Sequence, residues 1–139
     1  MSSSEPAGLL DSNTLIDLVE LDPDSLPTEP AICTITLAEL SIGPLVARSP
    51  RERAARQALL QQAEADFEPL LFDAGAARAF GSVAASLRQA GRKLATRAFD
   101  ALLAAVAVSQ DLPLYTANPS DFIHIDGLDV RTVPHLDQQ

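Results

Sequence analysis

Four carboxylates in this chain stand where an enzyme could use them. Asp11 follows the apolar run Ala7-Gly8-Leu9-Leu10, Glu39 comes shortly after the apolar residues 31–35, Asp100 is the one acid in an otherwise apolar stretch, and Asp121 closes the polar turn Thr116-Ala117-Asn118-Pro119-Ser120-Asp121. A carboxylate in the first turn of a buried helix is costly to desolvate unless it meets a cation, a hydrogen-bond donor or the positive helix end. Asp100 is therefore the anomaly that needs an explanation. Grouped oxygen ligands with neither Cys nor His among them suit Mg²⁺ or Mn²⁺ rather than zinc or copper. Such an ion activates water and neutralises charge on a phosphoryl group, so metal-dependent phosphodiester hydrolysis is the leading chemistry. His124 and His135 both lie in the last sixteen residues, which gives no support to a metal-free ribonuclease with paired imidazoles. No phosphate-binding glycine loop, dinucleotide fingerprint or serine elbow occurs.

Each acid also has a purely structural explanation. Asp11 could cap a helix or make an Asx-turn, and Glu39 could complete a capping box with Thr36. Asp100 could sit on the positive end of its helix, and Asn118-Pro119-Ser120-Asp121 fits a type I turn. Four such coincidences on one edge are harder to accept than one.

The elements that would position these acids alternate along the chain. A strand at residues 7–10 is followed by a polar corner and a short helix carrying Leu15, Ile16, Leu18 and Val19; residues 21–30, with three prolines, form a loop. A second strand is expected at 31–35, then a helix opened by the Thr36-x-x-Glu39 box and running toward Val46. Ser49-Pro50-Arg51-Glu52 opens a polar outer helix that lasts to about Ala65. Residues 67–72 predict a third strand, and Asp73 caps a helix that ends at Gly91. The apolar helix from Ala98 to Ser109, with no wet face, feeds a fourth strand at 112–115. Residues 130–133 add a fifth, edge strand, while residues 1–6 and 135–139 read as frayed ends. Short strands alternating with helices make this an α/β chain with a mostly parallel sheet and helices on both faces. Sites in such sheets lie outside the carboxyl ends of the strands, where strand order reverses, and all four acids can meet there.

The totals bound the problem. With 139 residues, 47% of them hydrophobic, the chain builds one domain with a core of its own, spanning residues 1–139. Its single cysteine, Cys33, excludes an internal disulfide framework and points to a reducing compartment, the cytoplasm. No segment approaches the roughly 18 apolar residues of a membrane span, and the first residues lack the basic and apolar regions of a secretion signal. The formal charge of −9 is unevenly spread: residues 48–97 hold nine of the ten bases. Arg48, Arg51, Arg53 and Arg56, then Arg88, Arg92, Lys93 and Arg97, could line a phosphate-facing rim, or else simply solvate helix faces.

Leu9-Leu10-Asp11-Ser12-Asn13, Thr36-Leu37-Ala38-Glu39-Leu40, Phe99-Asp100-Ala101-Leu102-Leu103-Ala104-Ala105 and Leu112–Phe122 resemble, in order and spacing, the four signature blocks of PIN-domain proteins. More narrowly, the chain is similar to the VapC toxins of bacterial toxin–antitoxin pairs. The resemblance implies a three-layer α/β/α sandwich around a mostly parallel sheet of four to five strands. It also implies an Mg²⁺- or Mn²⁺-dependent endoribonuclease acting on RNA, usually a homodimer, held inactive by a co-expressed antitoxin. Position by position, Asp11, Glu39 and Asp100 correspond to the first three family acids and Asp121 to the acid near the end. Asn118 sits where some relatives carry a further acid, and Asn13 and Thr116 match polar positions that orient the carboxylates. Arg97, just ahead of the acidic helix, is a candidate phosphate contact read from this chain alone.

Three other readings compete. Asp11-Ser12-Asn13 partly matches a haloacid-dehalogenase phosphatase motif, but Asn13 cannot donate the proton required of its second acid. A phospho-accepting receiver domain wants a lysine near a late strand, and the only lysine, Lys93, precedes the fourth. A non-catalytic PIN-like module that binds a partner protein would accommodate the acidic balance, but does not need acids at all four places.

Overall fold

The computed structural model describes residues 6–138, so that Met1 to Glu5 and Gln139 of the expected frayed ends lie outside the described residues. At its centre β1 (Ala7–Leu10) lies between β2 (Glu29–Ala31) and β3 (Leu114–Thr116), with β4 (Val130–Thr132) beyond β3. All three pairings are parallel, with Leu9 opposite both Ala31 and Leu114, and Thr116 opposite Thr132. Parallel neighbours need crossover connections: α1 (Ser12–Ile16) lies between β1 and β2, α2 (Thr34–Ile42), α3 (Pro50–Asp66), α4 (Ala74–Gln89) and α5 (Ala98–Ser109) lie between β2 and β3, and a loop with one 3₁₀ turn joins β3 to β4.

Side-chain alternation along the strands divides the interior into two cores. Leu9, Cys33 and Leu114 pack on one face with α4 and α5, through Val83, Leu87, Leu103 and Val106. Leu10, Ile32 and Tyr115 pack on the other face with Leu15 of α1, Leu40 of α2 and Ala63 of α3. The result is the expected three-layer α/β/α arrangement, with four strands.

Several local boundaries differ from the sequence reading. The second strand ends at Ala31 instead of continuing to residue 35, because the next residues turn into α2: Ile32 and Cys33 are buried in opposite cores, and Cys33 is already the N-cap. Pro30 is tolerated inside β2 because that strand is an edge. Residues 67–72 make no strand; only Leu70 pairs, in a single parallel bridge with Cys33, next to Pro69, which has no N–H to give. Their apolar side chains are used in packing, Phe67 on one core and Leu70 and Phe72 on the other. The tail expected to fray at His135 is instead tied down: His135 bridges Leu21, the Asp22 N–H donates to the Pro134 carbonyl, and Leu136–Gln138 form a 3₁₀ turn. Three other local signals hold. Ser49 Oγ accepts from the Glu52 N–H at 3.1 Å, Asp73 caps α4, and Gly91 leaves α4 in the left-handed region at φ 75°.

Strand order sets the location of a site. The chain goes from β1 outward to β2, then returns to the other side of β1 for β3 and β4. The switch point therefore falls between β1 and β3, at their carboxyl ends, where crevices form.

Candidate active site

Asp11 occupies that switch point. It caps α1, its Oδ1 accepting from the Thr14 N–H at 3.0 Å, and its Oδ2 accepts from the Thr116 hydroxyl at 2.7 Å. Thr116, fully buried at the end of β3, in turn accepts from the Asn118 N–H, and the Ala117 N–H donates to Thr14 Oγ1. The helix-capping role suggested for Asp11 is thus real, but only one of its oxygens serves it.

Glu39 does not complete a capping box. Because α2 begins at Thr34, Thr36 is buried inside the helix with an unpartnered hydroxyl, and Glu39 lies on the second turn. Freed from the cap, Glu39 accepts from the Ser12 hydroxyl at 2.5 Å. Burial raises its pKa, the Ser12 bond opposes this, and the charge of Asp11 adds to the rise.

Asp100 is half-buried at the open end of α5, where Ala98 and Phe99 face solvent; the helix without a wet face expected from composition is limited to Ala101 and Leu103 to Ala107, with Leu102 and Val108 half-buried and Ser109 exposed. Burial, followed by the negative charges of Asp121, Glu39 and Asp11, pushes its carboxyl up to about 6, against a smaller pull from Arg97. All three other acids therefore act on Asp100. Asp121 closes the expected turn, its N–H donating to the Asn118 carbonyl at 3.1 Å, and the turn continues as a 3₁₀ segment (Pro119–Asp121); the Asp121 Oδ1 meets Arg97 Nη1 at 2.9 Å. Arg97, read from the sequence as a phosphate contact, is held by an acid of the site. A cavity of about 290 Å³ opens beside them, lined by Glu39, Asp100, Arg97 and Phe99.

Among the described residues, no three His, Cys, Asp or Glu side chains are arranged to hold one ion. The partners explain why: Asp11 is turned to Thr116, Glu39 to Ser12 and Asp121 to Arg97, so each acid is satisfied separately while the charges repel. The chemistry of the donors, carboxylates with flanking hydroxyls, nevertheless fits a hard divalent cation.

Of the polar residues expected to assist, Thr116 is the firmest. Asn13 and Asn118 are exposed and do not line the cavity, Asn118 engaging Thr116 through its backbone N–H. Ser12 and Thr14 were overlooked, although their place directly after Asp11 on the first turn of α1 is a signal available in the sequence. The basic residues are divided. Arg53 and Arg56 donate to the carbonyls of Pro44 and Gly43, so they tie α3 to the turn after α2, and Arg56 also pairs with Glu52.

The PIN domain pattern matches residues 8–128, and the chain belongs to that family. Within it, the chain is 38% identical over 130 residues to Ribonuclease VapC5 of Mycobacterium tuberculosis, covering 91% of this chain and 93% of the relative. Ribonuclease VapC4 of the same organism is 32% identical over 119 residues, covering 85% and 88%. Among solved structures, a crystal structure of VapBC-5, a member of the VapBC family of toxin–antitoxin systems from M. tuberculosis, superposes with a TM-score of 0.80 at 37% identity, over 94% of this chain and 99% of that one.

Proposed function

We propose that this chain is a cytoplasmic, divalent-cation-dependent endoribonuclease, the toxin of a toxin–antitoxin pair, acting as a homodimer and silenced by a cognate antitoxin. The observation that carries the reading is geometric: Asp100 and Glu39 line one cavity, and Asp11 and Asp121 stand close enough for their charges to act on Asp100. Similarity to Ribonuclease VapC5 and VapC4 and to a VapBC complex supports RNA as substrate and an antitoxin as partner.

Asp11, Glu39, Asp100 and Asp121 would hold Mg²⁺ or Mn²⁺. The chemistry supplied by such an ion when bound is activation of water and neutralisation of phosphoryl charge. The residues of the chain prepare the rest. The Thr116 hydroxyl and the Thr14 N–H fix the orientation of Asp11, and the Ser12 hydroxyl favours the ionised form of Glu39. Arg97 neutralises Asp121 in the resting site and is released to meet an RNA phosphate once that acid turns inward. Asn13 and Asn118 provide exposed polar groups. An antitoxin side chain bearing Arg or Lys would satisfy the same crevice and block it.

RNA incubated with the purified chain and Mg²⁺ or Mn²⁺ should be cut internally, and excess chelator should stop the reaction. Undiminished cleavage in chelator, or none with either ion, would refute the proposal; the second result would favour a non-catalytic partner-binding module.

A further inference from the structure

Among the described residues Phe99 is the one exposed aromatic side chain, at 39%; Tyr115 and Phe122 are buried, and Phe67, Phe72 and Phe80 are half-buried against the two cores. It lines the cavity of about 290 Å³ that also holds Asp100, Glu39 and Arg97. That volume is at the lower end of the roughly 300–1,000 Å³ typical of small-ligand pockets. The core requires nothing of this ring, since α5 enters the interior only from Ala101 onward.

Five residues before it in the chain, Leu94 borders a second cavity of about 500 Å³, whose lining of Gly81, Ala84 and Ala85 is flanked by Arg88 and Arg92. Arg88, Arg92 and Lys93 have no ion-pair or side-chain hydrogen-bond partner among the described residues, whereas Arg53, Arg56, Arg97 and Arg131 are all engaged. The left-handed Gly91 turns the chain between the first two of these cations, and its N–H donates to the Arg88 carbonyl. On a chain of net charge −9, three uncommitted cations beside small-residue flooring offer an anionic strand a path.

We infer that Phe99, with Arg88, Arg92 and Lys93, forms the subsite that holds single-stranded RNA on one flank of the acidic cluster. Phe99 stacks an unpaired base next to the reacting phosphate, and the three cations meet the phosphates beyond it. This rests on the endoribonuclease reading and adds to it where the strand runs and what grips it. Stacking suits an enzyme that meets varied sequences, because every base presents a π-face, and the small side chains of Gly81, Ala84 and Ala85 let a sugar–phosphate backbone approach α4 closely.

The test is binding of a fluorescent, mixed-sequence single-stranded RNA to the full chain in chelator, with cleavage in Mg²⁺ measured on the same preparations. Phe99→Ala should weaken binding by about 5- to 150-fold, the range of a lost base–aromatic stack, without lowering the melting temperature. Phe99→Trp should restore binding. Arg88→Ala combined with Arg92→Ala should reduce the slope of log affinity against log salt by about 1.4. Phe99→Ala binding RNA as tightly as wild type would overturn the subsite, as would a change of oligomeric state in that variant with RNA affinity intact, which would make Phe99 a protein contact. The two readings fail separately. Loss of binding in Phe99→Ala alongside a wild type that never cleaves sustains the subsite and sinks the nuclease, while unaltered binding by a cleaving protein sinks the subsite alone.

Discussion

At the scale of single residues, the site depends on how unlike environments act on like groups. Asp11 and Asp100 are both carboxylates at helix N-termini, yet Asp11 receives two hydrogen bonds while Asp100 is pushed up to about 6 by burial and by its acidic neighbours. A carboxyl whose folded pKa lies above its unfolded value of 3.8 gives stability that is fully present below that value and is lost as pH rises through the folded value. Glu39 acts in the same direction. In metal-free buffer the fold should therefore lose stability between about pH 4 and pH 6, and Asp100→Asn should flatten that slope; chemical denaturation across the interval measures it. Ser12→Ala removes the hydroxyl that favours ionised Glu39, so the Glu39 carboxyl should rise further. Loss of such a supporting bond costs about 10- to 100-fold in activity, which should show in cleavage rates with no comparable loss of stability.

The elements explain which expectations succeeded. Strands and helices marked by long apolar periodicity or an unambiguous cap, such as α3 with Ser49 and Pro50 or α5 with its run of Ala, Leu and Val, were legible in the sequence. The structural alternative for Glu39 fails: the Thr36-x-x-Glu39 spacing imitates a capping box, but α2 is capped at Cys33, three residues earlier, where Ile32 and Cys33 turn into the two cores. Residues 67–72 misled because a half-buried apolar segment has the composition of a strand, and only backbone pairing, absent here except at Leu70, distinguishes the two. Contacts between distant segments, Ser12 with Glu39 or Arg97 with Asp121, carry no local signal at all. One tight contact between elements gives a direct check of the packing. A Cβ on Gly8 in β1 would stand 2.3 Å from the Tyr115 ring and 3.2 Å from Pro27, and the ring is held from outside by Arg131 at 5.7 Å. Gly8→Ala should thus destabilise the fold by about 1–3 kcal/mol, read as a lower denaturation midpoint in urea.

Over the whole molecule, charge is segregated. Acids collect at the switch point of the sheet, while Arg88, Arg92 and Lys93 lie along the end of α4 and the turn leading to α5. An antitoxin that occludes the crevice with Arg or Lys should bind more weakly when Asp100 and Glu39 are neutralised together, which titration of the two proteins would detect. The central claim, that four acids repel one another until a divalent cation joins them, is tested most directly on Asp100→Asn, a change that keeps shape and removes one charge. Thermal melts of wild type and variant, with and without Mg²⁺, run beside an RNA cleavage assay, provide the measurement. The metal-free variant should melt at the same temperature as wild type or higher, show no stabilisation by Mg²⁺ where wild type gains it, and fail to cleave. A variant that is less stable without metal yet cleaves RNA at the wild-type rate would contradict the account, because Asp100 would then serve only the end of its helix.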